Sequence, residues 1–336
     1  MVDATHISYP ANDRSYFSLL KKDIRQKVQE AGINQEKQNA IDIIVSEMTS
    51  NLLKYASDGE ILLGVFKNEN GPYIELICID NGPGMQNPKR MVQDGVSTSA
   101  TLGHGLGSIK RLSNFFDIYS QVGSGTVVLS RVCNNPKIAL GYKNILFHPL
   151  VVAKPGEEVS GDGFSYKLSS KYAKFMLADG LGHGPEANYA VNQATKAFKV
   201  FPDYNPVETL RFIHYEIRKT RGAVINILGY NFETGIWSTV GIGNISLRMC
   251  GNKGVKNHMS YNGIVGHNIP NTMNEQCYGS DLFDHVIICS DGIKTRWDLL
   301  KYPQINKHDP VVLAAVLYRD QARKTDDMSV VSIKIK

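Results

Sequence analysis

The longest regular pattern lies in "EKQNAIDIIVSEMTSNLLKYA", where Ile41, Ile44, Val45, Met48, Leu52 and Tyr55 recur at the three- and four-residue spacing of an amphipathic helix. After the turn "SDGE", the β-rich runs "ILLGVF" and "YIELICID" are separated by "KNENGP", whose Asn, Gly and Pro predict a hairpin. A glycine-rich stretch ending at Gly107 leads into a predicted helix over "SIKRLSNFF". Two further strands follow, "DIYSQV" and "TVVLSRV", joined across Gly123, Ser124 and Gly125. The set predicts a mixed α+β domain with a mainly antiparallel sheet.

The pattern breaks at "CNNPKI", where Asn134, Asn135 and Pro136 mark a boundary. Beyond it the periodicity predicts strands over "GFSYKL" and "YAKFMLAD", then helices across Pro185–Phe201 and Pro206–Thr220. Strands "AVINILGYN", "IWSTVGI", "ISLRMC" and "HVIICSD" come next, then a helix "DPVVLAAVLYRDQA" and a last strand "MSVVSIKIK". Many strands with few helices suggest a sandwich-like core covered by helices. The chain of 336 residues thus divides into residues 1–133, a short linker at 134–139, and residues 140–336. The halves do not align as a repeat; only LGHG recurs, in "LGHGLG" at 102–107 and "GLGHGP" at 180–185.

Apolar residues make up 42% and charged residues 21%, which places the chain among ordinary folded globular proteins. The net charge of +5 is spread along the chain, so no nucleic-acid partner is called for. No basic-then-apolar start is present, and no apolar run approaches the roughly 18 residues that span a bilayer, so a cytoplasmic protein without membrane contact is expected. The five cysteines, Cys78, Cys133, Cys250, Cys277 and Cys289, form no CxxC pair and sit mostly in apolar runs, the pattern of buried free thiols.

Candidate chemistry in the first half begins with Glu47 and Asn51, one turn apart on one helix face. An acid able to take a proton beside an amide able to bind hydrated Mg²⁺ suits activation of a hydroxyl against a phosphoryl group. A solvated helix face is the other reading of the pair by itself. In "DNGPGM", Asp80 ends an apolar strand where a buried carboxylate needs a donor such as the exocyclic amine of adenine. Gly82 and Gly84 let the backbone approach a ligand, although an ordinary strand-end turn has the same composition. Gly103, Gly105 and Gly107 precede "SIKRL", so their amides and a helix N-terminus can hold phosphates, and Thr126 of "GSGT" starts a strand beside the same pocket.

This order of motifs resembles the GHKL ATPase superfamily over roughly residues 10–133: Glu47 and Asn51 match its N box, Asp80, Gly82 and Gly84 the first glycine box, and Gly103, Gly105 and Gly107 the second. Within it, "DGVSTSATLGHGLGSIKRL" looks most like the lid of the bacterial anti-sigma-factor and switch-protein serine kinases. The resemblance implies a Bergerat-type α/β sandwich, ATP with Mg²⁺ on Asn51, adenine on Asp80, and Glu47 as general base toward a protein Ser or Thr hydroxyl. Sensor histidine kinases share these boxes but need a phosphoacceptor His on a helical hairpin, and too few residues precede Tyr16 to supply one.

In the second half, "SGDGF" (Asp162), "LADGLGHG" (Asp179), "CSDGI" (Asp291) and "KTDDMS" (Asp326, Asp327) each join an aspartate to an apolar strand. Hard divalent cations want oxygen ligands, and strand ends can bring several carboxylates to one side. The order resembles the metal-dependent PPM (type-2C) protein phosphatases, and among them the bacterial SpoIIE-like branch, which implies an α/β/β/α sandwich. By that resemblance Asp162, Asp179, the Gly180 carbonyl, Asp291 and Asp326 hold two Mn²⁺ or Mg²⁺ ions, with Asp327 beside them. His183 would either donate a proton to the leaving oxygen or only bond its own turn. No basic residue stands out as a phosphate grip, Lys167, Lys171 and Arg296 being no better placed than other surface cations.

Together the resemblances imply an α+β, bifunctional bacterial signalling regulator: an ATP-dependent protein serine/threonine kinase joined to a metal-dependent protein serine/threonine phosphatase. The implied partner is a STAS-domain anti-sigma-factor antagonist or another switch protein. The rival is a module that binds ATP and a partner without phosphotransfer and regulates the attached phosphatase.

Overall fold

The computed structural model describes residues 5–11, 13–56, 58–68, 71–92, 105–135, 142–252 and 254–336. The chain forms β1 (His6–Pro10), α1 (Phe17–Glu30), α2 (Gln35–Tyr55), β2 (Gly59–Asn68), β3 (Gly71–Asp80), α3 (Pro88–Met91), α4 (Gly105–Leu112), β4 (Phe115–Gln121) and β5 (Gly125–Cys133). It continues through β6 (Ile145–Val152), β7 (Asp162–Leu168), β8 (Tyr172–Gly180), α5 (Pro185–Val200), α6 (Pro206–Glu216), β9 (Ala223–Asn231) and β10 (Ile236–Ile242). The last elements are β11 (Ser246–Gly251), β12 (Gly254–Asn257), β13 (Gln276–Gly279), β14 (His285–Cys289), α7 (Pro310–Gln321) and β15 (Met328–Ile335). Two compact units result, the first joining His6–Ala139 to Asp298–Arg319, the second comprising Met1–Thr5, Leu140–Trp297 and Asp320–Lys336. A linear division leaves Asp298–Arg319 in the second half; its contacts put it in the first unit.

In the first unit α2 starts where Asn34 caps it, its Oδ1 accepting the Lys37 N–H at 2.9 Å, with Glu36 in the first turn and Lys54 in the last to suit the helix dipole. Its stripe Ile41, Ile44, Val45, Met48 and Leu52 is buried, whereas Tyr55, which shares the spacing, is 44% exposed. The antiparallel strands run in the order β1-β2-β3-β5-β4. One face, with Ile61, Leu63, Ile74, Leu76 and Val128, packs in the same core as α1 and α2. The helix expected through "SIKRLSNFF" stops at Leu112, because Phe115 and Phe116 pair with Arg131 and Ser130 as the start of β4.

The opposite face of these strands carries a buried charge cluster. Glu75 and Arg131 are cross-strand partners on β3 and β5 and bond at 2.5 Å, and His6 Nε2 lies 2.9 Å from the other Glu75 oxygen. Arg131 also makes a two-pronged bond to Asp309, at 2.7 and 3.0 Å. Burial alone would lower the Arg131 pKa, but Glu75 and Asp309 outweigh it and hold the guanidinium charged. Asp309 N–H donates to Asp117 and the Tyr318 hydroxyl to Glu60, so the segment 298–319 is pinned to this face at several points.

The second unit has one sheet in the order β13-β10-β9-β8-β7, and a set of antiparallel strands β12-β11-β14-β15-β6. Phe164, Phe175, Leu228 and Trp237 from the former meet Leu247, Met249, Ile288 and Val331 from the latter in one core. On the other side of β8, β9 and β10, Met176, Ile225, Ile227 and Val240 pack with Phe198 of α5 and Leu210 and Ile213 of α6. This alternation of faces along each strand is the period-two signal of a two-layered β core under a helical layer. Among the cysteines, Cys78, Cys133, Cys250 and Cys289 are buried free thiols as expected, while Cys277 is exposed.

Truncating a buried cation between two carboxylates leaves them uncompensated, so Arg131→Met is expected to destabilise the first unit by about 3–5 kcal/mol, measured by urea unfolding. A loss below about 1 kcal/mol would mean that Glu75 and Asp309 do not depend on it.

Candidate functional site

In the first unit Glu47 and Asn51 are half-buried on α2 and face the start of α4. A Cβ built on Gly105 would lie 3.0 Å from Glu47 Oε2 and 3.4 Å from Asn51 Oδ1. The first turn of α4, with its free backbone N–H groups, therefore abuts the acid and the amide. Gly107 is buried within α4. Gly103 and His104 lie outside the described residues.

Asp80 sits at the end of β3, opposite Thr126 on β5. Its Oδ1 accepts the Gly82 N–H at 2.8 Å and the Thr126 N–H at 3.2 Å. Burial raises its pKa, against the pull of these two N–H groups and of Arg319. Gly84 has φ +68°, and a Cβ there would stand 2.0 Å from the Gln121 carbonyl, so only glycine fits this turn. Ser120 bridges the two glycine-bearing turns, accepting from Met85 N–H at 2.8 Å and lying 2.9 Å from Thr126 Oγ1. Ser120 and Arg319 carried no sequence signal, since only β4 pairing and the placement of 298–319 bring them here.

In the second unit the aspartates converge. Asp162 and Asp179 are register partners at the ends of β7 and β8. Asp179, Gly180, Asp291 and Asp326 line one cleft of about 380 Å³, together with Leu181, Gly182, Val224, Gly243, Asn244, Asn262 and Gly263. Asp162 is buried beneath it, its Oδ2 accepting from Ser329 Oγ at 2.7 Å while Oδ1 is buried without a hydrogen-bond partner. Asn244 donates to Asp291 Oδ2 at 2.8 Å. Asp327 is spent on structure, accepting the N–H groups of Lys154 and Gly161, both at 2.9 Å. The Asp291–Gly292 turn closes tightly over it, since a Cβ on Gly292 would lie 1.9 Å from the Asp327 carbonyl.

His183 stands apart from the lining of this cleft, its Nδ1 2.6 Å from Glu157 Oε1 with the ring 48% exposed. Of the basic residues considered from sequence, Lys167 donates to the Phe201 carbonyl and Lys171 pairs with Glu233. Asn244 and Asn262 were missed by sequence reasoning, for an asparagine next to a glycine reads as a turn until the strands are placed.

Burial, with neighbouring carboxylates adding to it, pushes Asp162 up to about 7 and Asp179 up to about 10. Asp291 is raised too, again chiefly by burial. A set of acids that cannot all ionise together, one with an orphaned buried oxygen, fits a divalent cation site.

Comparison with known proteins identifies the first half. Residues 11–131 match the model of the histidine kinase-like ATPase domain. The serine/threonine-protein kinase RsbT of Bacillus subtilis (strain 168) is 33% identical over 104 residues, which are 31% of this chain and 78% of RsbT. The chain belongs to this kinase family. A chain from a solved structure described under the bacterial stressosome is 25% identical, with TM-score 0.53, covering 57% of this chain and all (100%) of its own. The crystal structure of RsbX in complex with magnesium has TM-score 0.51 at 19% identity, covering 60% of this chain and 100% of its own. The fold is thus mixed α+β with a histidine kinase-like ATPase domain in its first unit, and that domain implies ATP. Among the described residues no helix is long and apolar enough to cross a membrane.

A carboxyl whose pKa is raised in the folded state stabilises the fold only while protonated. Without metal, stability should therefore fall as pH rises from the ordinary Asp value of 3.8 through about 7 for Asp162 and on toward about 10 for Asp179. Saturating Mn²⁺, at about a hundredfold over its Kd, should restore about 2–3 kcal/mol, and Asp179→Asn should abolish that gain. Thermal melts across pH with chelator or Mn²⁺ test both; a metal-independent melting temperature would contradict the site.

Proposed function

We propose that the chain is a bifunctional signalling regulator, phosphorylating a Ser or Thr of a partner protein through its first unit and dephosphorylating a phosphoserine or phosphothreonine through its second. The observation that carries the first half is the approach of α4 to Glu47 and Asn51, which brings a proton acceptor and a metal-binding amide to a helix N-terminus suited to phosphate. ATP would lie with its adenine amine toward Asp80, where Gly82, Gly84 and Thr126 shape the wall, and its phosphates toward Gly105. Glu47 takes the proton of the incoming hydroxyl, and Asn51 holds Mg²⁺.

The second half rests on the convergence of Asp179, Asp291 and Asp326 above buried Asp162. Bound divalent cations there supply an activated water and neutralise the phosphoryl oxygens. Asp162, Asp179, the Gly180 carbonyl, Asp291 and Asp326 would hold them, and Asn244 orients Asp291. His183, engaged by Glu157 outside the cleft lining, braces the loop before α5. The partner class that fits the kinship with RsbT and the stressosome structure is a STAS-domain anti-sigma-factor antagonist or another switch protein, met in the cytoplasm.

The experiment uses labelled ATP and a purified STAS protein. Glu47→Gln should retain ATP binding and lose phosphotransfer by about 10²–10⁴-fold; wild-type binding of ATP with no transfer to any partner would mark the first unit as a binding module. Asp179→Ala or Asp291→Ala should abolish Mn²⁺-dependent release of phosphate from the phosphorylated partner, and hydrolysis at the wild-type rate would refute the second half.

A further inference from the structure

A phosphate monoester entering a cleft lined by Asp179, Asp291 and Asp326 meets surplus negative charge, and a cation at the rim would offset it. We infer that Arg221 is this cation, the residue that grips the substrate phosphate; the inference rests on the phosphatase reading above. Arg221 lies in the turn between α6 and β9, far in sequence from every aspartate of the site. The turn is braced locally, Gly222 N–H donating to Thr220 Oγ1 at 3.0 Å and Thr220 Oγ1 to the Ile217 carbonyl at 2.8 Å. His267 Nε2 donates to the Arg221 carbonyl at 2.8 Å.

The same turn is stitched to the cleft wall. Leu181 N–H donates to the Gly222 carbonyl at 3.2 Å, and Arg221 Nη1 donates back to the Leu181 carbonyl at 3.4 Å. A Cβ on Gly182 would stand 2.8 Å from Nη1, so the guanidinium lies directly against a residue that lines the cleft. A second of its three nitrogens, Nε, pairs with Glu186 Oε2 at 2.5 Å, with the two side chains 46% and 71% exposed. An ion pair this open contributes little, whereas a forked guanidinium bond to phosphate is stronger, so exchanging Glu186 for a phosphoryl group is favourable.

Other cations nearby are committed differently. Arg248 stacks on Trp297 at 3.9 Å and donates to the Trp297 carbonyl. Arg323 partly opposes the burial-driven rise of the Asp291 pKa and is the competing candidate.

The test uses the full chain loaded with Mn²⁺, hydrolysis of p-nitrophenyl phosphate and of a phosphoserine peptide, and calorimetric titration of inorganic phosphate into the Mg²⁺-loaded protein. Arg221→Ala should raise KM and weaken phosphate binding by about 10- to 100-fold, with kcat and Mn²⁺ affinity changed less than about threefold. Arg221→Lys should recover part of the loss, a point charge replacing the fork. Glu186→Gln should leave KM unchanged or lower it. Wild-type KM and phosphate affinity in Arg221→Ala overturn the inference, as does a KM rise confined to Arg323→Ala. A wild-type protein that hydrolyses neither substrate and binds no phosphate overturns the phosphatase reading, and this inference falls with it.

Discussion

The second unit is organised around a repulsion. Strand pairing sets Asp162 directly opposite Asp179, and the turns after β14 and before β15 add Asp291, Asp326 and Asp327. Like charges placed opposite one another in a sheet are destabilising, and burial sharpens the cost. The fold meets it in three ways: Asp327 is spent on backbone N–H groups, Asp162 takes the Ser329 hydroxyl, and Asp179 is left strongly raised in pKa. What remains is a demand for positive charge that only protons or a bound cation can meet. Stability and ligand binding are in this sense one electrostatic problem.

The first unit handles charge by the opposite means. Arg131 is as buried as Asp162, but it is neutralised inside the protein, by Glu75 across the strand and by Asp309 from a distant part of the chain. That cluster holds a segment in place and leaves no charge seeking a ligand. Asp80 is intermediate: two N–H groups engage one oxygen, and partial burial raises its pKa. Its carboxylate is thus positioned and still suited to receive a donor from a bound base. Within one chain, pairing within the protein leaves a charge satisfied, and incomplete compensation leaves one able to take a ligand.

The two LGHG stretches illustrate how little four letters decide. Gly105 of the first opens a helix whose start abuts Glu47 and Asn51. Gly180 and Gly182 of the second line a cleft of carboxylates, and its His183 turns away to Glu157. Each stretch takes its chemistry from residues remote in sequence.

Periodicity and motif order determined much by themselves: the α2 stripe, the β2–β3 hairpin, the mixed α+β class and the aspartates at strand ends are all local or short-range signals. Local rules are readable because 3.6- and two-residue repeats, turn glycines and caps act within a few residues. Tertiary structure alone decided the rest. It assigned Asp298–Arg319 to the first unit through bonds spanning 178 residues or more, as between Arg131 and Asp309. It turned Tyr55 outward, stopped α4 at Leu112, and separated Asp327 as a clamp from the aspartates that line the cleft. It also set Asn244 against Asp291, and Arg221 against Leu181 and Gly182 of the cleft wall. Such placements depend on which strands pair and which loops meet, and pairing energy is settled by partners that no local pattern names.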